Sequence, residues 1–173
     1  PQDRSKLSPM MQQYLSMKDE HRDQILMFRL GDFYEMFFDD AVTASRELEL
    51  TLTGRDCGLP ERAPMCGVPY HSVENYIARL VKKGYKVAIC EQMENPALAK
   101  GMVKRDIVRV VTPGTLMEAN MLEEGSNNYI CSLCPAGERC GLAFADISTG
   151  SVLVTEVSGK MAAINELGKY APH

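Results

Sequence analysis

The chain has 173 residues, 45% hydrophobic and 24% charged, with a net charge of −4. That balance excludes a disordered or collagen-like polymer, and no apolar run approaches the roughly 18 residues of a membrane-spanning helix. The acid excess sits at one end: 16 basic against 16 acidic residues over 1–113 and 3 against 7 over 114–173, of 19 and 23 in all. Neither part is a basic nucleic-acid footprint, so nonspecific phosphate attraction would supply little affinity for DNA. The length suits one ordinary domain plus part of another. Pro1 opens the chain without a secretory pattern, and the chain is expected to be a trimmed piece of a longer protein.

Ser8-Pro9 predicts a helix start, with Met10, Met11, Tyr14 and Leu15 following at helical spacing. Ile25–Leu30 reads as a buried strand, Gly31-Asp32 as a turn, and Phe33–Phe38 as a second extended run. Asp39-Asp40 can open a helix reaching about Leu48, with its acids near the N-terminus. Leu50–Thr53 is expected as a short strand and Gly54–Ala63 as a loop. The strongest helix signal follows: Ser72 as N-cap, then Val73, Tyr76, Ile77, Leu80 and Val81 on one stripe, and Gly84 as the stop. Lys86–Met93 and Ile107–Thr112 read as strands, and Asn95–Lys104 as a loop or short helix.

Beyond Pro113-Gly114, residues 114–126 have no strong period and read as a linker. Tyr129–Leu133, Gly141–Ile147 and Ser151–Val157 then predict three strands in hairpin order, with Met161–Tyr170 as a helix. Helices alternating with strands imply a mixed α/β fold. Three strands and one helix leave a sheet incompletely covered, so an exposed edge or apolar face, and self-association through it, are expected there.

The functional signal lies in residues 28–38, around Phe33-Tyr34-Glu35. In an extended segment alternate side chains share a face, so Phe33 and Glu35 point the same way and Tyr34 points into the core. An apolar ring can enter and unstack a base step, and a neighbouring carboxylate can accept a hydrogen bond from a base N–H. Alone, the pattern is weak and is described more simply by a strand with one core ring and one solvated acid. Its surroundings add specificity. GDFYEMFFDDA (31–41), ELTLTGR (49–55), PMCGVPYHSVENYIARLVKKGYKVAICEQ (64–92) and VRVVTPGT (108–115) resemble, in order and spacing, the N-terminal mismatch-binding domain of the MutS family of DNA mismatch-repair proteins. The resemblance is close over about residues 8–115 and looser beyond, where FADISTG (144–150) is similar to the start of that family's connector domain.

The resemblance implies a mixed-sheet mismatch-binding domain flanked by helices over 1–115, a linker over 116–127, and a truncated, ribonuclease-H-like connector domain over 128–173. It implies that Phe33 enters the minor groove and stacks on a mispaired base while Glu35 hydrogen-bonds to it, with Leu30 and Asp32 at the groove edge. Arg55 and Arg105 align with basic positions that contact the DNA backbone, and Met65 lies in a segment beside the wedge. The Gly67–His71 turn belongs to the same segment, though helix initiation explains Pro69 to His71 equally well, and His71 reads as structural. The implied partners are mismatched double-stranded DNA, a second copy of the full-length protein, and downstream repair proteins reached through the connector domain. The implied location is the bacterial cytoplasm, at the nucleoid.

The chain is expected to catalyse no reaction and to hold no cofactor. Gly159-Lys160 and Gly168-Lys169 lack phosphate-loop context, so the family's ATP- and Mg-binding ATPase would lie elsewhere in the longer protein. Asp146 alone does not make a metal-dependent nuclease, which needs several convergent carboxylates. Cys131-x-x-Cys134 with Cys140 has partial metal spacing but no fourth ligand. Their place around a hairpin turn instead suggests cysteines that face each other, with Cys134 and Cys140 able to oxidise. The rival reading is a protein-interaction piece whose DNA binding needs the missing clamp and ATPase regions.

Overall fold

A computed structural model describes residues 4–96, 98–99, 101–115 and 127–173. They form two compact units, Pro1–Val111 and Thr112–His173. The division falls before Thr112 rather than after 115, because the short 3-10 turn Pro113–Thr115 is tied to the second unit. Asn128 Nδ2 donates to the Pro113 carbonyl at 2.8 Å, and a Cβ on Gly114 would lie 2.2 Å from Ile130 Cγ2. Most of the expected 116–127 linker lies outside the described residues.

In the first unit, helix α1 (Pro9–Glu20) starts at Ser8 with Pro9 in its first turn. The Ser8 side chain makes no capping bond, and its backbone N–H instead donates to the Cys57 carbonyl at 2.8 Å. Strands β1 (Gln24–Leu30) and β2 (Phe33–Phe37) form a hairpin about Gly31, whose φ of 57° needs glycine's freedom. Helix α2 (Phe38–Leu48) follows β2 without a loop, so Phe38 belongs to the helix rather than the strand and takes a φ of 53°.

The expected strand at Leu50–Thr53 is displaced to β3 (Thr53–Arg55). The loop expected to run to Ala63 ends in a strand absent from the sequence expectation, β4 (Ala63–Pro69). Helix α3 (Val73–Lys82), entered through a 3-10 turn at Tyr70–Ser72, matches its predicted stripe. Strands β5 (Lys86–Gln92) and β6 (Arg105–Val111) complete the unit, with no helix among the described residues between them.

The six strands form one mixed sheet in the order β3-β4-β2-β1-β5-β6, parallel only at β1–β5. On one face, Met11 and Tyr14 of α1 pack with Leu26, Phe28, Phe37 and Ala88. Helices α2 and α3 contact the strands and supply a second buried set, including Ala41, Ala44, Ile77 and Leu80. A buried polar hub ties the layers together. The Asp40 carboxylate accepts from the Leu26 N–H at 3.0 Å, the Tyr14 hydroxyl at 3.1 Å and Lys18 Nζ at 2.8 Å. Asp40 was expected as a helix-opening acid, and its position in the first turn of α2 is also favourable to the helix dipole.

The second unit is an antiparallel meander of β7 (Tyr129–Ala136), β8 (Arg139–Asp146) and β9 (Ser151–Ser158), followed by α4 (Lys160–Tyr170). Leu142 and Phe144 are buried against Tyr129 and Tyr170. Val152, Val154, Met161 and Ile164 are exposed, giving the uncovered apolar surface expected of a partial sheet. The β7–β8 turn is tighter than predicted, and its register corrects the cysteine reading. Cys134 stands opposite Gly141, whereas Cys140 stands opposite Pro135. Adjacent positions point to opposite faces, so Cys134 and Cys140 do not face each other and all three cysteines are free. Among the described residues no His, Cys, Asp or Glu group could hold a metal ion.

Candidate nucleic-acid interface

The hairpin β1–β2 places the site. Phe33 is the first residue of β2, opposite Leu30 on one side and Pro69 on the other, and its ring is 47% exposed. It is the one exposed phenylalanine of the five, with Phe28, Phe37 and Phe144 fully buried. Glu35 lies two positions on, opposite Phe28 and Gly67. Strand alternation therefore puts Phe33 and Glu35 on one face, the face that further along holds Phe37 and α1. Tyr34, between them, is buried on the other face.

The Glu35 carboxylate accepts a hydrogen bond from Arg55 Nη1 at 2.5 Å, and the Glu35 side chain is the more buried partner. Arg55 reaches it from β3, across the intervening strand β4. Gly67 of β4 stands where a side chain would crowd this path: a Cβ there would lie 3.4 Å from Glu35 Cγ.

Leu30 is partly buried and packs on the α1-side core, while Asp32 is exposed in the turn with its carbonyl accepting from the Tyr70 N–H at 2.9 Å. Met65 also packs on that core, opposite Phe37 and Thr53. Arg105 differs from the exposed loop arginine that a backbone contact would suggest. It opens β6, is buried, and its guanidinium donates to the Arg29 carbonyl at 2.8 Å, Gln13 Oε1 at 3.0 Å and the Val103 carbonyl at 3.2 Å. It also lies over the Phe28 ring at 4.8 Å. Burial draws the guanidinium pKa below its usual value, and the three acceptors compensate that desolvation.

Sequence reading missed Arg29. Its guanidinium sits over the exposed Tyr70 ring at 4.0 Å and over Tyr34 at 5.5 Å, with Glu91 within 3.7 Å. The Tyr34 hydroxyl donates to Glu91, and burial together with that carboxylate pushes its pKa up to about 12. This cluster braces the hairpin next to its turn, from the face opposite Phe33. A signal was present in the alternation Arg29, Leu30, which puts Arg29 on the face of Tyr34, but its ring partner Tyr70 is distant in sequence.

The fold and site together define a three-layer mixed α/β module that displays an aromatic ring and a carboxylate from the tip of a central hairpin. Residues 8–120 match the family model described as MutS domain I. The chain belongs to the MutS family. It is 59% identical over 171 residues to the DNA mismatch repair protein MutS of Alkaliphilus oremlandii, covering 97% of this chain and 19% of that protein. It is 62% identical to the protein of the same name from Ruminiclostridium cellulolyticum, over 96% of this chain and 19% of the relative. It is 61% identical to that of Clostridium tetani, again over 96% and 19%. The chain thus spans about 19% of the length of the curated relatives it matches. None of its described helices is long and apolar enough to cross a membrane.

Proposed function

We propose that the chain is the mismatch-recognition module of a MutS protein, and that it inserts Phe33 into the minor groove at a mispaired or unpaired base. The observation that carries this reading is the exposed Phe33 ring sharing a face with Glu35 at the tip of a braced central hairpin. A mismatched step is cheaper to unstack and kink than a paired one, so an apolar wedge reads deformability rather than sequence. Glu35 then accepts an N–H from the displaced base. On intact duplex no displaced base offers that N–H, and the carboxylate discriminates by penalising binding there.

In this reading Leu30, Asp32 and Met65 line the groove edge. Arg105 acts mainly from below, by holding the hairpin carbonyl of Arg29. The module makes and breaks no bonds and needs no cofactor; ATP and Mg are bound by another domain of the longer protein. That protein works as a homodimer in the bacterial cytoplasm, at the nucleoid, with one subunit's wedge on the mismatch. The Thr112–His173 unit, with its acid excess and exposed apolar surface, suits contact with downstream repair proteins.

The test is fluorescence anisotropy on G·T-mismatched and matched duplexes, with a whole MutS chain carrying this segment and its Phe33→Ala variant. Base–aromatic stacking is worth ~1–3 kcal/mol, so Phe33→Ala is expected to weaken mismatch binding by about ten- to a hundredfold and leave matched binding nearly unchanged. An unaltered preference for the mismatch would overturn the wedge reading.

A further inference from the structure

We propose that Arg55 is a positioning residue for Glu35: it holds the carboxylate in an exchangeable ion pair, released where a mispaired base offers an N–H in return. The proposal deepens the wedge reading above and rests on it. Three observations carry it. The pair joins a mostly covered carboxylate, 14% exposed, to a guanidinium that is 40% exposed and open to a second anion. Among the described residues the bond to Glu35 is the one hydrogen bond that the Arg55 guanidinium makes, whereas Arg105 is fixed by three acceptors. Gly67 leaves the gap on β4 beside which the pair forms.

Charge explains why the pair is exchangeable rather than merely structural. The like charge of Arg55 adds, behind burial, to the lowering of the Arg105 pKa. Arg55 is therefore most favourable with an anion against it. In the free protein that anion is Glu35; beside a duplex a phosphate is a second candidate. Glu35 cannot leave Arg55 without cost, because a bare carboxylate would then face the phosphates. At a mismatch the base N–H replaces Arg55 as its donor, and Arg55 is free to move to the backbone. On a matched duplex no donor is offered, and the exchange stalls. Discrimination thus comes from a swap that frees Arg55 for a phosphate only at the mismatch, whereas on a matched duplex Glu35 and Arg55 stay paired with each other.

A double-mutant cycle in a whole MutS chain carrying this segment tests this. Arg55→Met, Glu35→Gln and the double variant are compared by anisotropy on G·T-mismatched and matched duplexes. With Glu35 in place, Arg55→Met is expected to weaken mismatch binding, which loses the Arg55–phosphate contact, at least fivefold more than matched binding, and Arg55→Lys to restore most of the difference. In the Glu35→Gln background the two losses caused by Arg55→Met are expected to differ less than twofold. An independent phosphate contact would instead weaken both duplexes equally in both backgrounds, and that result would overturn the proposal.

Phe33→Ala, run alongside, keeps the two readings distinguishable. Should it leave the mismatch preference intact, the wedge reading fails. The pair is then judged by the same cycle on matched duplex alone, where a coupling of more than twofold between Arg55→Met and Glu35→Gln is expected; additive losses overturn it.

Discussion

Gly67 stands directly opposite Glu35 in the β2–β4 register, and a Cβ built on it would lie 3.3 Å from the Tyr34 carbonyl oxygen and 3.4 Å from Glu35 Cγ. The backbone oxygen cannot withdraw easily, while the glutamate side chain can. Gly67→Ala is therefore expected to leave the fold intact at a cost of about 1 kcal/mol, in the range of mild overpacking, while displacing Glu35. Urea unfolding together with duplex anisotropy checks this: a larger loss of mismatch discrimination than of stability is the expected pattern. Gly67→Ala in a Glu35→Ala background should then lose little further discrimination.

The Asp40 hub gives a prediction about stability alone. Its carboxylate serves a backbone N–H, a buried phenol and an ammonium at once. Removing it leaves the Leu26 N–H short of a partner and the Lys18 charge without its counter-ion, while the Tyr14 hydroxyl can still donate to the Phe37 carbonyl at 3.3 Å and Lys18 to that of Gln24. Breaking a buried pair in this way typically costs ~3–5 kcal/mol, and because the Lys18 side chain is 21% exposed, Asp40→Ala is expected near the lower end. Denaturant midpoints would measure it. A loss below about 1 kcal/mol would mean that water replaces the carboxylate.

Acid should loosen the second unit through Asp146. The Ser148 hydroxyl at 2.6 Å and the backbone N–H groups of Asn128, Ser148 and Thr149 all donate to its carboxylate. These bonds hold its pKa below the usual value of 3.8, the Ser148 hydroxyl contributing most. A depressed folded pKa means stabilisation that is complete above the unfolded value and is lost as pH falls through the folded one. Protection of the amides around residues 146–149, with the intrinsic pH dependence of exchange divided out, should fall below about pH 4, and Asp146→Asn should remove that dependence.

Thiol chemistry separates the cysteines. Cys134 is exposed. Burial pushes the Cys66 thiol up to about 11 and that of Cys90 up to about 12. Since the thiolate is the reactive form, a disulfide reagent at pH 8 is expected to modify Cys134 first and to leave Cys66 and Cys90 untouched until the first unit unfolds. Peptide mass mapping after graded exposure would check the order. Early modification of Cys90 would contradict its burial behind α1.

Much of the architecture is legible residue by residue where local rules suffice. Helix α3 is the clearest case, since its apolar stripe and the Gly84 stop are written within a dozen positions. The facing of Phe33, Tyr34 and Glu35 follows from strand alternation alone. Strand β4 is not legible, because Pro64, Gly67 and Pro69 read as turn residues. It is a strand because β2 and β3 pair with it, with Gly67 accommodating the Glu35 side chain. Arg105 is hidden from local reading for a similar reason: its acceptors on Arg29 and Gln13 lie 76 and 92 positions away. The Arg55–Glu35 pair likewise depends on a sheet order that no short window reveals.

Strand β2 is hydrogen-bonded on both sides, to β1 and to β4, and α1 covers its inner end. Phe33 is thus mounted on a part of the molecule with little freedom to give way. When a stiff probe is pressed against a softer body, nearly all the deformation occurs in the softer one. In the proposed encounter the strain is borne by the double helix, and the resistance met at each base step is a property of that step. A yielding hairpin would blur the difference between a paired and a mispaired step; a braced one transmits it.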